Sequence, residues 1–317
     1  MKLPKKILSS PFWWLFLVAF PLLFLPGNSF YELVQLDFEK VPEADCFQVL
    51  PPLPPLPVRV LAGEPEIEAY SALLVDYDSG EILYQKNIDQ ALSPASLTKI
   101  MTALIVLEEF PCDQILTVEE TQEIGQVIGL AAGEQFKVGD LLYALLVMSG
   151  NDIASILADA YPGGETAFVA RMNQRAKELG MEKTNFANPH GLDDSNHYLT
   201  ARDLSKLTCY ALKNPVFAEI IKRGNGQICD LTGESCYLIE PTNELLDFPG
   251  ILGVKTGWTD QAGGCFVGFW EQDGRRFLSV VLGSDDRFGE TQDLLGWGLV
   301  SYSNQSFDWL KFLGYSR

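Results

Sequence analysis

From residue 7 to residue 30 the chain carries no charged side chain, and residues 11–26 (PFWWLFLVAFPLLFLP) are almost wholly apolar. Such a stretch has no polar face to turn toward water, so it cannot be an ordinary surface helix. Lys2, Lys5 and Lys6 precede it. A basic start followed by an apolar run is the pattern of a secretory signal or of a membrane anchor entering from the cytoplasm. The run approaches the roughly 20 apolar residues that a spanning helix needs, and lipid tolerates a proline such as Pro21. No A-x-A cleavage pattern follows, Gly27-Asn28-Ser29 being the nearest substitute. An uncleaved N-terminal hydrophobic helix, residues 1–30, is therefore favoured over a cleaved signal. Both place the remainder outside the cytoplasm.

Residues 31–70 hold eight acidic and two basic side chains, and five prolines fall within residues 51–57 (PPLPPLP). That composition predicts an extended, semi-rigid spacer rich in polyproline II. Residues 71–317 remain for a folded domain, and a chain that is 47% hydrophobic can supply its core. The net charge of −19 argues against nucleic acid as a partner, because a phosphate backbone is bound by Lys and Arg. The two histidines, His190 and His197, are too few for a three-histidine zinc site, and no cysteine pair has C-x-x-C spacing. No metal or other cofactor is expected. If the domain is a hydrolase, its proton transfers fall to something other than histidine.

Turn signals punctuate the domain. Residues 72–77 and 81–85 flank Asp78-Ser79-Gly80 and read as a hairpin. Ser93-Pro94 reads as an N-cap followed by proline at the first helical position, opening a helix over 96–110. Helical periodicity returns at 138–148, 153–161, 166–179 and 201–212, and a last helix is expected over 291–300. Strands are expected at 227–231, 236–239, 250–255, 265–271 and 277–283. A hairpin, a block of helices, several strands and a closing helix predict an α+β fold, an antiparallel sheet flanked by helices with a helical subdomain.

Three short motifs follow in order. In Ser96-Leu97-Thr98-Lys99 the i, i+3 spacing sets a hydroxyl and an amine on one helix face. A lysine with apolar neighbours (Ile100, Met101) is desolvated, its pKa falls, and it can then take the serine proton. Serine and lysine one turn apart at a helix start are also commonplace. In Ser149-Gly150-Asn151 a hydroxyl and a carboxamide can face one pocket, or Gly150 can simply stop one helix while Asn151 caps the next. In Lys255-Thr256-Gly257 a cation and a hydroxyl close a strand whose edge can receive a carboxylate or an extended peptide, or merely form a turn.

The ordered trio is far more specific than any member, and it resembles the serine D-alanyl-D-alanine carboxypeptidases, the low-molecular-mass penicillin-binding proteins. The resemblance extends through 94–102 (PASLTKIMT), 139–152 (GDLLYALLVMSGND), 188–193 (NPHGLD), 197–204 (HYLTARDL), 253–259 (GVKTGWT), Arg287 and 294–299 (LLGWGL). It implies a β-lactamase/transpeptidase-like fold and removal of the terminal D-alanine from peptidoglycan stem pentapeptides on the cell-wall side, with β-lactams as inhibitors. Carried over, Ser96 is the nucleophile, Lys99 its base and Ser149 a proton relay. Asn151, Lys255, Thr256, Gly257, Trp258 and Arg287 bind substrate. Thr256 and Arg287 receive its carboxylate, and the backbone N–H groups of Ser96 and Trp258 form the oxyanion hole. His190 and His197 are given structural roles.

The hydrophobic N terminus is expected to serve as the membrane attachment, with no β-rich C-terminal domain and an aromatic tail at 307–315 (FDWLKFLGY) packed on the domain. Cys229 and Cys236, either side of a turn, are placed to form a disulfide. A D,D-endopeptidase is the main alternative activity. A β-lactamase is disfavoured because no E-x-x-x-N stretch lies between the second and third motifs.

Overall fold

The apolar runs of the C-terminal third, together with the early hairpin, form a single five-stranded antiparallel sheet. The computed structural model describes residues 56–61, 63–119 and 125–303; the expected hydrophobic helix, nearly all of the proline run and the aromatic tail lie outside the described residues. Its strands are β1 (Val58–Arg59), β2 (Ser71–Asp76), β3 (Ile82–Lys86), β4 (Ile115–Thr117), β5 (Gln135–Lys137), β6 (Gly226–Cys229) and β7 (Cys236–Ile239). Then come β8 (Ile251–Thr259), β9 (Gly263–Gln272), β10 (Arg275–Ser284) and β11 (Tyr302–Ser303). The helices are α1 (Lys99–Glu109), α2 (Val138–Val147), α3 (Asn151–Asp159), α4 (Gly164–Glu178), α5 (Ala201–Ala211), α6 (Pro215–Ile220) and α7 (Arg287–Ser301). The large sheet runs β3-β2-β10-β9-β8, which leaves β8 at an edge.

Strand periodicity divides the core in two. Leu73 and Val75, Val267 and Phe269, and Leu278, Val280 and Leu282 face a large cluster shared with helices α1 to α6. Their alternates Ala72 and Leu74, Phe266 and Trp270, and Phe277 and Val281 face α7 through Leu294 and Leu295. A sheet covered on both faces needs apolar residues at successive positions, which is why β2 reads as SALLVD with every residue buried. Thr200, Asn214 and Asp286 cap α5, α6 and α7 by accepting backbone N–H bonds.

Several boundaries differ from those expected, each for a local reason. The helix expected from Ser96 is a 3₁₀ turn over Ala95–Thr98 followed by α1 from Lys99, with Pro94 rather than Ser93 at the cap position. The strand expected to close at Lys255 continues to Thr259, because Thr256 to Thr259 pair in register with Gly263 to Phe266 of β9. Lys255-Thr256-Gly257 therefore lies within a strand, not at a turn. The strand expected over 227–231 stops at Cys229, where Asp230 takes over with a side-chain-bonded turn. The last helix starts at Arg287, four residues before 291, because Asp286 accepts the Gly289 N–H.

The stretch from 58 to 70, assigned by composition to the spacer, is tied into this domain. β1 pairs with β11, and Ile67 and Ala69 are buried. The buried Glu290 carboxylate of α7 accepts the backbone N–H groups of Glu68 and Ala69 and the Ser284 hydroxyl. Cys229 and Cys236 form the expected disulfide across the β6–β7 hairpin, 4.1 Å apart at Cα, while Cys112, Cys209 and Cys265 are free thiols.

Candidate active site

Proline at 94 fixes one backbone angle and opens the 3₁₀ turn that carries Ser96. Positions i and i+3 eclipse in a 3₁₀ turn. Lys99, the first residue of α1, thus lies directly below Ser96, and its Nζ donates to Ser96 Oγ at 2.9 Å. The same nitrogen donates to Asn151 Oδ1 at 2.6 Å and to the His190 carbonyl at 2.8 Å. Lys99 is 0% exposed whereas Ser96 is only half-buried, so the hydroxyl alone can be reached. Burial pushes the Lys99 amine far below the ordinary lysine value; the Lys255 charge pushes the same way and Asp152 pulls against it.

The backbone around this pair is strained. Ala95, immediately before the nucleophile candidate, has φ +49°, and Ser149 has φ +70°. Left-handed conformations at non-glycine residues cost about 1–2 kcal/mol each and gather at functional sites. Ser149 occupies the left-handed position after α2 that the sequence reading gave to Gly150; Gly150 is instead the cap position of α3, and Asn151 is its first residue. Its Oδ1 meets Lys99 from there. Asp152 braces the same corner: its carboxylate accepts the N–H groups of Ile128 and Gly129 at 3.0 and 2.8 Å, and Asn151 N–H donates to the Gln126 carbonyl at 2.7 Å.

On the other side stands the edge strand β8. Lys255 is 1% exposed, with its Nζ donating to the Thr256 carbonyl at 3.0 Å. Burial, aided by Arg287, lowers its pKa to about 7. Thr256 Oγ1 lies 2.6 Å from Thr242 Oγ1. A side chain at Gly257 would be crowded, since a Cβ there would stand 3.0 Å from Ala95 Cβ and 3.1 Å from Ser96 N. Trp258 is exposed, and Arg287 is the first residue of α7. Ser96, Ser149, Asn151, Thr256, Trp258 and Arg287 all line one cleft of about 490 Å³.

The sequence model of the D-alanyl-D-alanine carboxypeptidases, Peptidase_S11, matches residues 59–286. The chain belongs to the Peptidase_S11 family. It is 34% identical over 246 residues to the D-alanyl-D-alanine carboxypeptidase DacF of Bacillus subtilis, an alignment covering 74% of this chain and 63% of that protein. It thus spans less than two thirds of that relative's length. It is also 34% identical to a D-alanyl-D-alanine endopeptidase of Pseudomonas aeruginosa, over 76% of this chain and 77% of the relative. In structure it is similar to penicillin-binding protein D2 of Listeria monocytogenes in the ampicillin-bound form, with a TM-score of 0.65, 34% identity and coverage of 73% and 97% of the two chains.

Within this S11 domain further residues surround the cleft, and one of them, Thr242, lies in no motif or stretch singled out in the sequence. Thr242 lines the cleft and touches Thr256. Gly191 packs behind the nucleophile turn with φ +93°, and a Cβ on it would fall 1.9 Å from the Ala95 carbonyl oxygen. His197, 2% exposed, acts on the same carbonyl from further away. Its Nδ1 accepts the Ala187 N–H at 3.3 Å, which leaves the proton on Nε2 to donate to Thr98 Oγ1 at 2.8 Å. Thr98 in turn donates to the Ala95 carbonyl at 2.9 Å.

Both histidines are held neutral, with pKa values lowered to about 4. Burial is the main cause in each; Lys99 adds to it at His190, while Asp194 and Asp193 oppose it at His197. Between pH 6.5 and 4 the unfolded chain binds protons at these positions that the folded chain refuses. Stability contributed by the neutral rings is therefore complete above pH 6.5 and is lost as pH falls toward 4, at up to about 1.4 kcal/mol per pH unit for each ring. Urea unfolding at pH 6.5 and pH 5, where most carboxylates remain ionised, should show the loss. His197→Gln, which keeps an N–H donor toward Thr98, should show a smaller slope.

Proposed function

We propose that this protein is a serine D,D-carboxypeptidase that removes the terminal D-alanine from peptidoglycan stem peptides on the outer side of the cytoplasmic membrane, held there by its N-terminal hydrophobic segment. The observation that carries the reading is the 2.9 Å contact between Ser96 Oγ and a fully buried lysine amine at the floor of an open cleft. A charged lysine cannot accept a proton; one whose charged form is penalised by burial can. The neutral Lys99 takes the Ser96 proton as Oγ bonds to the carbonyl carbon of the penultimate residue. The carbon–nitrogen bond then breaks, and the proton passes to the leaving D-alanine amine. Ser149, on the same wall, relays that proton, and Asn151 orients both Lys99 and the substrate amide. A water molecule afterwards hydrolyses the ester and restores Ser96.

Substrate binding falls to the sheet side. An extended peptide can lie along the edge strand β8, with the backbone N–H groups of Ser96 and Trp258 receiving the oxyanion. Lys255, Thr256 and Arg287 place positive charge and a hydroxyl where the terminal carboxylate must sit, and Gly257 lets the substrate come close. The same arrangement suits a β-lactam, and the ampicillin-bound Listeria relative supports this.

Incubating the full-length chain with a fluorescent penicillin, followed by peptide mapping, should place the label on Ser96. A stem pentapeptide should lose one D-alanine. Label on another residue, or none, would overturn the acyl-enzyme reading. Faster cleavage of a cross-linked dimer than of pentapeptide would instead favour endopeptidase activity, the name carried by the Pseudomonas relative.

A further inference from the structure

Thr242 belongs to none of the three motifs, yet its half-buried hydroxyl touches one of them. It follows the disulfide-bonded β6–β7 hairpin and sits between the end of α2 and the edge strand β8. Its backbone N–H donates to the Val147 carbonyl at 3.1 Å, and its Oγ1 is 3.4 Å from that same oxygen and 2.6 Å from Thr256 Oγ1. A threonine hydroxyl has one proton to donate and can accept others. Two hydrogen arrangements are therefore open to the pair. In one, Thr256 donates to Thr242, which donates to Val147. In the other, Thr242 donates to Thr256, and the Thr256 proton is free to point into the cleft.

We propose that Thr242 is a positioning residue that sets the cleft's preference for a free carboxylate terminus, by turning the Thr256 proton toward the bound anion. The proposal rests on the reading above, in which Thr256 receives that carboxylate. An anion against Thr256 draws its proton outward, and the lone pair left behind faces Thr242. The Thr242 proton then leaves the 3.4 Å acceptor for the 2.6 Å one. Val147 loses nothing essential, because it keeps the Thr242 N–H. Chained hydrogen bonds polarise one another, so the Thr256 hydroxyl becomes a better donor to the anion than it is alone. A neutral terminus draws much less on this arrangement.

The test compares acylation rates of the full-length protein in detergent by benzylpenicillin and by its methyl ester, which lacks the carboxylate. Wild type should react faster with the acid. In Thr242→Val the ratio of the two rates should shrink by about two- to fourfold, the strengthening that one chained bond adds to a hydrogen bond to a charged group, almost entirely through the acid. Thr242→Ser should restore it. An unchanged ratio in Thr242→Val, or equal losses with acid and ester, would overturn the proposal and leave the carboxypeptidase reading standing. No acylation of wild type by either compound would overturn both. Thermal melting checks the fold, and Thr242→Ala serves the same comparison if the valine variant does not fold.

Discussion

Lys99→Met is expected to lower the rate of Ser96 acylation by about 10²–10⁴-fold, the usual contribution of a positioned general base. Methionine matches the length of the lysine stem and suits the surroundings, since Ile100, Met101 and Ala103 beside it are buried as well. It cannot accept a proton or donate to Ser96, Asn151 and the His190 carbonyl. Stopped-flow acylation by a chromogenic cephalosporin checks the rate. The pH profile supplies a readout that a purely structural role would not move. Burial lowers the Lys99 pKa, so wild-type acylation should rise with pH as the amine becomes neutral, and the variant should lose that limb. Stability carries the complementary sign. Lys99 and Lys255 both hold a proton less readily in the folded chain than in the unfolded one. Wild-type stability should therefore rise with pH toward the ordinary lysine value of 10.5, the Lys255 share from about 7 upward, at about 1.4 kcal/mol per unit for each lysine that is neutral in the folded chain and charged in the unfolded one. Only the Lys255 share should persist in Lys99→Met. Acylation within tenfold of wild type would mean that another group removes the Ser96 proton.

How much of this was legible depends on the range of the signal. Ser96 and Lys99 were readable as a pair because one turn brings i and i+3 together, whether that turn is 3₁₀ or α. The strands of the large sheet were readable because burial on both faces forces long apolar runs. The closer detail was set by contacts far apart in sequence. Ile67 and Ala69 alternate with exposed neighbours as a half-buried strand would, but the acidic and proline-rich composition around them hid that pattern. Ser149 takes the left-handed position beside a glycine better suited to it, and no propensity rule predicts a strained serine. Thr242 carries no local signal at all, and the 188–193 stretch marks Gly191 without showing why a glycine must stand there. Their roles arise only when the loops at 240–250 and 188–193 are folded against β8 and the nucleophile turn. The buried corner around Asp152 is similar: its partners at Ile128 and Gly129 lie more than twenty residues away.

Gly191→Ala is the substitution in which those hidden contacts should be most visible. The methyl group meets two obstacles at once. The residue has φ +93°, where an L side chain is strained, and the added carbon would stand 1.9 Å from the Ala95 oxygen and 3.0 Å from Ser96 N. Backbone cannot yield as a flexible side chain does. The turn at Ala95 is also fixed from its other side by Gly257, and from behind by the His197–Thr98 chain. Strain and overlap together should cost about 2–5 kcal/mol, a fall in Tm of about 5–15 °C for a domain of this size. Gly233→Ala provides the control, since that hairpin glycine has φ +75° with nothing within 4 Å of the added carbon. It should cost only the conformational part, about 1–2 kcal/mol, and leave acylation unchanged. Gly191→Ala should also lose activity beyond its loss of stability. Relief of the overlap must move the Ser96 turn relative to Lys99, and a displacement near 1 Å lowers the rate by about 10²-fold. Acylation should therefore stay slow at temperatures where circular dichroism shows the variant fully folded. If Gly191→Ala melted and reacted like Gly233→Ala, the nucleophile turn would not be braced by Gly191.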